Sequence, residues 1–194
     1  MAIFIAGGDH ATYVQDWTNI AVAAALHSAW RRGAVGGGTS AGCAILGAHV
    51  FSAANGTVYS DEALADPYNP YMTLGSGVVA PPPLAHAITD THFRQRDRLG
   101  RLVALTARLI TGGDDAAPLG IGVDEATALL VDAAGNARVV GDGAVTWSRR
   151  PRRRPPAAPV SRWCSPTYRY TNSPRERPSL FVQPQSPSWA QVPA

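Results

Sequence analysis

The apolar positions of this chain fall into an alternating order of short runs and helical stripes. Ile3-Phe4-Ile5-Ala6 is continuous, the mark of a strand buried on both faces of a parallel sheet. Gly7-Gly8-Asp9-His10 ends it in a tight turn. From Tyr13 to Arg32 the positions Trp17, Ile20, Ala21, Ala24 and Ala25 keep helical spacing, and Gly33 closes that predicted helix. Ala34-Val35 starts a second strand. Cys43-Ala44-Ile45-Leu46-Gly47 then reads as the first turns of a buried helix. Residues 2–52 therefore read β-α-β-α, the order of a doubly wound, mostly parallel α/β sheet.

The pattern continues with less regularity. Residues 53–71 are polar and rich in turn pairs, which predicts a long loop near the site for substrate binding or a dimer contact. Pro81-Pro82-Pro83 is a rigid connector, and Ala87-Ile88-Thr89 a short strand leading into Asp90-Thr91-His92-Phe93. A helix is expected from Arg94 to about Ile110, with Leu99, Leu102, Val103, Thr106, Leu109 and Ile110 as its apolar stripe. That phase puts Arg94, Arg98, Arg101 and Arg108 on the outer face and turns Arg96 toward the sheet. A buried guanidinium needs an anion, either a protein carboxylate or a bound substrate. Leu119 to Val123 is a strand ending in Asp124-Glu125. Residues 128–131, 137–140 and 144–146 read as a short antiparallel finish.

Charge divides the chain in two. Residues 1–147 hold 8 Arg against 13 acids, whereas residues 148–194 hold 9 Arg against Glu176 alone. Ten of the 16 prolines also lie after residue 147. A domain over 1–147 and a disordered Arg/Pro-rich tail over 148–194 are expected. Three readings suit the tail: an arginine-rich arm for nucleic acid or acidic surfaces, an inert linker, or an out-of-frame read of a GC-rich gene. The abrupt loss of strand pattern favours the third, so no nucleic-acid partner is expected. Cys43 reads as a small buried filler, and with Cys164 in the tail no disulfide framework is implied. No run approaches a membrane span, and the apolar start lacks a signal peptide's charged leader. The expected compartment is the cytoplasm, unless an absent N-terminal portion carried a signal. The first strand begins almost at residue 1, which suggests a missing β-α-β portion, an unstable sheet edge and a homodimer.

The candidate chemistry centres on Gly38-Thr39-Ser40-Ala41-Gly42. Strand, glycine-rich turn and helix form the setting of a nucleophile elbow, with the Ala41 amide as one oxyanion donor. Ser40, His92 and an acid at 124–125 each follow a predicted strand, so a parallel sheet brings them to one edge. A serine needs a base to take its proton, and that base needs an orienting acid. Asp9-His10 with Asp90 and His92 also offers ligand types for a metal.

Five segments together carry a family resemblance: Gly7-Gly8-Asp9, Gly37 to Gly42, Asp90-Thr91-His92-Phe93, Gln95-Arg96-x-Arg98-x-Gly100-Arg101-Leu102, and Gly120-Ile121-Gly122-Val123-Asp124-Glu125. In order and spacing the chain resembles the serine peptidases of family S51, the cyanophycinase and dipeptidase E type. The resemblance implies a flavodoxin-like fold similar to class I glutamine amidotransferases. It implies Ser40 as nucleophile, His92 as base and Glu125 as orienting acid, with no cofactor and no metal. The oxyanion hole would take amides of Ala41 and of the Gly8-Asp9 turn. The substrate class implied is a peptide with a free carboxylate, as in hydrolysis of β-aspartyl-arginine polymer to dipeptides. Its binding residues would be His10, Asp90, Thr91, Arg96, Arg98 and Arg101. His10 and Thr91 stand where cyanophycinases usually have glutamine. Three other outcomes stay open: an inactive truncated family member, a metal-dependent hydrolase, and a nucleic-acid binder acting through the tail.

Overall fold

The computed structural model describes residues 1–18 and 21–150. Ile20 and residues 151–194 of the expected tail, Cys164 included, lie outside the described residues. The elements run β1 (Ala2–Ile5), α1 (His10–Trp17), α2 (Ala21–Arg31), β2 (Val35–Gly38), α3 (Ala41–Ala44), β3 (His49–Phe51), α4 (Ser60–Ala65) and β4 (Leu74–Ser76). After a 3-10 turn at Pro82–Leu84 come β5 (Ala87–Thr91), α5 (Leu99–Gly112), β6 (Leu119–Val123), β7 (Thr127–Val131), β8 (Ala137–Gly141) and β9 (Val145–Arg149).

The fold is α/β with a mixed central sheet of order β4-β3-β5-β6-β9. Its inner strands β3, β5 and β6 are parallel, and β4 and β9 run antiparallel at the edges. β1 and β2 form a separate parallel pair, and β7 and β8 an antiparallel hairpin. Strand periodicity then sorts the core. Phe51, Ile88, Leu102, Leu105 and Leu109 pack together on the side of α4 and α5. Ile5, Ile45 and Val50 pack with Tyr13, Val14, Trp17, Leu26 and Trp30 on the side of α1 and α2. The hydroxyl of Thr89 donates to the carbonyls of Cys43 and Ala44 at 2.8 and 3.1 Å, tying α3 to β5.

Several expectations need correction. The helix expected over Tyr13–Arg32 begins earlier, at His10, where the Asp9 carboxylate caps it by accepting from Ala11 N at 2.9 Å. It stops at Trp17 because Thr18 is extended (φ −68°, ψ 131°). The helix after the elbow is only four residues long. Gly47 ends that segment against the Ala87 carbonyl, where a Cβ would lie 2.3 Å away, and the chain turns into β3. The long polar loop of 53–71 contains α4, whose capping Glu62 accepts from Tyr59 N at 2.8 Å. The last strand runs on to Arg149, Trp147 pairing with Ile121, so the sheet passes the expected boundary at 147. On the β1–β2 pair Phe4 and Val35 stand 72% and 73% exposed. No helix among the described residues is long and apolar enough to cross a membrane.

The end of the sheet away from the elbow carries a hydrogen-bonded clip. His49 Nε2 and His86 Nδ1 meet the same oxygen of buried Asp115, at 3.1 and 2.9 Å. Asp115 Oδ1 accepts from Ala117 N at 2.9 Å. These three residues sit at the start of β3, just before β5 and just before β6. Neither histidine stood out from ordinary loop positions in the sequence, because the pairing spans dozens of residues. Burial pushes the Asp115 carboxyl up, but the Ala117 amide and the two imidazoles outweigh it and hold it below its ordinary value. A depressed carboxyl contributes stability that is complete above the unfolded pKa, about 3.9. That stability is lost as pH falls through the folded value. Urea midpoints of the chain and of Asp115→Asn should therefore differ at neutral pH and converge on acidification below about pH 4. A gap that stays constant to pH 2 would remove the clip from the acid response.

Candidate active site

Ser40 stands between β2 and α3 with φ 49° and ψ −120°, a conformation that costs a non-glycine residue about 1–3 kcal/mol. The surrounding glycines permit it. A Cβ on Gly38 would lie 2.3 Å from the Gly42 carbonyl, and one on Gly42 would lie 2.2 Å from the Ile5 carbonyl. The spacing Gly-x-Ser-x-Gly is thus fixed by backbone approach on both sides of the serine. The first turn of the chain lies against it too, since a Cβ on Gly7 would be 3.2 Å from Ser40 Cβ.

The base and the acid come from β5 and β6. Ser40 Oγ is 2.8 Å from His92 Nε2, and His92 Nδ1 is 2.7 Å from Glu125 Oε1. His92 also has positive φ, 48°, as does Ala126 after the acid, 51°. Strain of this kind gathers where surrounding structure holds side chains for a task. With Glu125 on the imidazole Nδ1 side, Nε2 faces the hydroxyl, which is the arrangement for taking its proton. Of the two acids at 124–125, Glu125 is the one that meets His92. Asp124 is buried and accepts from the amides of Arg94 and Ala144 at 3.0 and 3.1 Å.

These residues line a cleft of about 210 Å³ together with Thr39, Cys43, Thr91, Val123 and Thr127. Cys43, read as core filler, is only partly covered and faces this cleft. Burial, with a smaller push from Asp90, raises its thiol to about 11, so it stays protonated and is no rival to Ser40. The amide of Ala41 follows Ser40 at the start of α3, and of the turn after β1 it is Gly7 that comes close to Ser40.

The arginine expectation is overturned. Residues 93–97 form turns, Arg98 stands at the N-cap, and α5 begins only at Leu99. A helical phase counted from Arg94 does not apply to them. Arg96 is exposed. Arg98 and Arg101, assigned to the outer face, are 8% and 1% exposed. Both hold Asp90, itself 2% exposed. Arg101 Nε and Nη2 reach its two oxygens at 3.0 and 2.7 Å, and Arg98 Nη1 reaches Oδ1 at 3.1 Å. Arg101 also donates to Thr57 Oγ1 at 3.1 Å and lies 4.2 Å over the Phe51 ring. Thr57 carried no signal in the sequence. Gln95 was quoted only as part of a motif, yet its Oε1 accepts from Glu125 N at 3.2 Å.

His10 packs 5.8 Å from Phe51, and its Nε2 is buried without a hydrogen-bond partner. Burial lowers its pKa; Asp90 opposes this, and Arg101 and Arg98 add to it. The metal alternative built on Asp9, His10, Asp90 and His92 does not assemble. Asp9 caps α1, Asp90 is held by two arginines, and His92 lies in the serine relay. Among the described residues, no group of three or more His, Cys, Asp or Glu is placed to hold a metal ion.

Residues 1–137 match Peptidase family S51. Cyanophycinases of Synechococcus elongatus and Thermosynechococcus vestitus are each 32% identical over 146 residues, covering 74% of this chain and 40% of theirs. The cyanophycinase of Trichormus variabilis is 31% identical over 147 residues, covering 74% of this chain and 43% of its own. The chain thus spans less than half the length of these curated relatives. The match includes the elbow, the His92 turn and the Glu125 loop within one continuous stretch, and on that basis the chain belongs to peptidase family S51.

Proposed function

We propose that this chain is a serine-type peptidase of cyanophycinase-like specificity, which cleaves β-aspartyl peptides through an acyl-enzyme on Ser40. The observation that carries this reading is the continuous Ser40–His92–Glu125 relay, at 2.8 and 2.7 Å, on a strained elbow. In the first step His92 Nε2 takes the Ser40 proton as Oγ attacks the scissile carbonyl, and the Glu125 carboxylate stabilises the imidazolium. The amides of Ala41 and of the Gly8-Asp9 turn receive the oxyanion. His92 returns the proton to the leaving amine, then activates water against the ester.

The substrate side rests on charge. Asp90 is one carboxylate for two buried guanidiniums, so the cluster carries one uncompensated positive charge. The unpartnered Nε2 of His10 lies in the same field. A substrate carboxylate supplies what both lack. Arg101 serves from inside by fixing Asp90, whereas Arg98 and the exposed Arg96 are the cations nearer solvent. Thr91 lines the cleft beside His92. The curated relatives are named as cyanophycinases, which supports a β-aspartyl-arginine substrate.

The test is a matched set of aspartyl peptides, β- or α-linked, with free or amidated carboxylates. The expected result is cleavage of the β-linked, free-carboxylate peptides, with the amidated and α-linked ones cleaved at least about tenfold more slowly. Equal rates across the set would sink the specificity; no cleavage of any would sink the activity.

A further inference from the structure

Glu125 poses a physical problem that the relay alone does not solve. Its side chain is 50% exposed, and among the described residues it makes one side-chain hydrogen bond, to His92. An exposed carboxylate on a loop samples several rotamers, yet it must hold one imidazole in one orientation. Burial does not fix it, so its backbone must.

The backbone is fixed in an unusual way. The parallel β5–β6 ladder ends at Thr91 opposite Val123. The chain then leaves strand geometry, since His92 has φ 48°. Pairing nevertheless continues for three consecutive steps. Phe93 N donates to the Val123 carbonyl at 3.2 Å, Arg94 N donates to Asp124 Oδ1 at 3.0 Å, and Glu125 N donates to Gln95 Oε1 at 3.2 Å. In the second and third steps a side-chain oxygen stands in for a carbonyl that the diverging strands no longer bring within reach. The Asp124 carboxylate reaches further, its Oδ2 accepting from Ala144 N at 3.1 Å while its own amide donates to the Ala144 carbonyl at 3.1 Å. The loop bearing the acid is therefore stitched on one side to the loop bearing the base, and on the other to the residue before β9. The ring of Phe93 seals the base of this stitch: a Cβ on Gly122 would lie 2.4 Å from it.

We propose that Gln95 and Asp124 are positioning residues that set the Glu125–His92 geometry before substrate binds. This rests on the serine-peptidase reading above. Neither touches the reacting atoms: Gln95 acts through the Glu125 backbone, and Asp124 through the amides of Arg94 and Ala144. Gln95 is exposed, so its substitution leaves the core untouched.

The deciding variant is Gln95→Met, which keeps length and loses the acceptor. We expect kcat to fall about 10- to 100-fold with KM within about twofold, because misplacement of a catalytic group is felt in the transition state. The urea midpoint should not move. Gln95→Glu, which restores an acceptor oxygen, should recover most of kcat at pH 7. Asp124→Asn should lose kcat and also lower the midpoint. An unchanged kcat in Gln95→Met, or a loss that Gln95→Glu does not restore, would overturn the proposal. A separate readout keeps this apart from the activity reading. The imidazole Nδ1 proton shared with Glu125 should give a strongly downfield proton resonance in the unmodified chain, and Gln95→Met should weaken it. If the chain cleaves no peptide, the peptidase reading fails, and this resonance alone decides: its persistence unchanged in Gln95→Met rejects the positioning role.

Discussion

Ser40→Ala is expected to remove peptide hydrolysis almost entirely, by about 10³-fold or more in kcat/KM, while leaving the fold intact. In the proposed mechanism the hydroxyl is the atom that bonds to the acyl group. Cys43 lies in the same cleft, but its thiol is held protonated. His92→Ala should lose nearly as much, since Oγ at 2.8 Å would have no base. Glu125→Gln should lose less, because in the proposed mechanism Glu125 orients the imidazole and takes no part in proton transfer to the substrate. The double variant Ser40→Ala/His92→Ala should be no worse than either single one, as members of one relay fail together. Losses that multiply would mean that the two residues act in separate steps. The assay is initial rate on a β-aspartyl peptide, with folding checked by circular dichroism.

The second large effect is on stability. Asp90, Arg98 and Arg101 are each less than a tenth exposed, and the carboxylate is the common partner of both cations. Asp90→Ala would strand two guanidiniums away from water. Breaking a buried pair in this way costs about 3–5 kcal/mol, against a total stability of about 5–15 kcal/mol for a typical domain. Arg101→Met should be the milder of the two. It leaves Asp90 with Arg98, and its apolar stem still packs on Phe51. Urea unfolding would show the order Asp90→Ala below Arg101→Met below the unmodified chain. A loss under about 1 kcal/mol for Asp90→Ala would mean that water reaches the cluster and that its charges are screened.

The sequence made the relay legible because each member follows a strand, and strand ends share an edge. Gly38 and Gly42 were legible for a related reason: glycine beside a nucleophile has a steric cause that the structure bears out. The arginines were not legible. The positive φ of His92 and the turns after it leave Arg98 outside α5, and within α5 the buried face runs through Arg101, Leu102 and Leu105 while Leu99 and Val103 of the expected stripe are exposed. Strands β3 and β4 are three residues each, too short for alternation to declare them. The Asp115 clip and the Thr57–Arg101 contact join residues far apart in the chain, and periodicity carries no information at that range. Asp124 shows a middle case. Its type and place beside Glu125 were visible, but only the two amides it accepts from distinguish a holder of loops from a member of the relay.

The most direct test of the central claim is covalent capture of the nucleophile. The chain would be treated with a fluorophosphonate, digested, and the adduct located by mass spectrometry. One adduct per chain on Ser40 is predicted, formed slowly or not at all in His92→Ala and absent in Ser40→Ala. A folded chain that takes no adduct at Ser40, or takes it on another residue while Ser40 stays free, would contradict the serine mechanism.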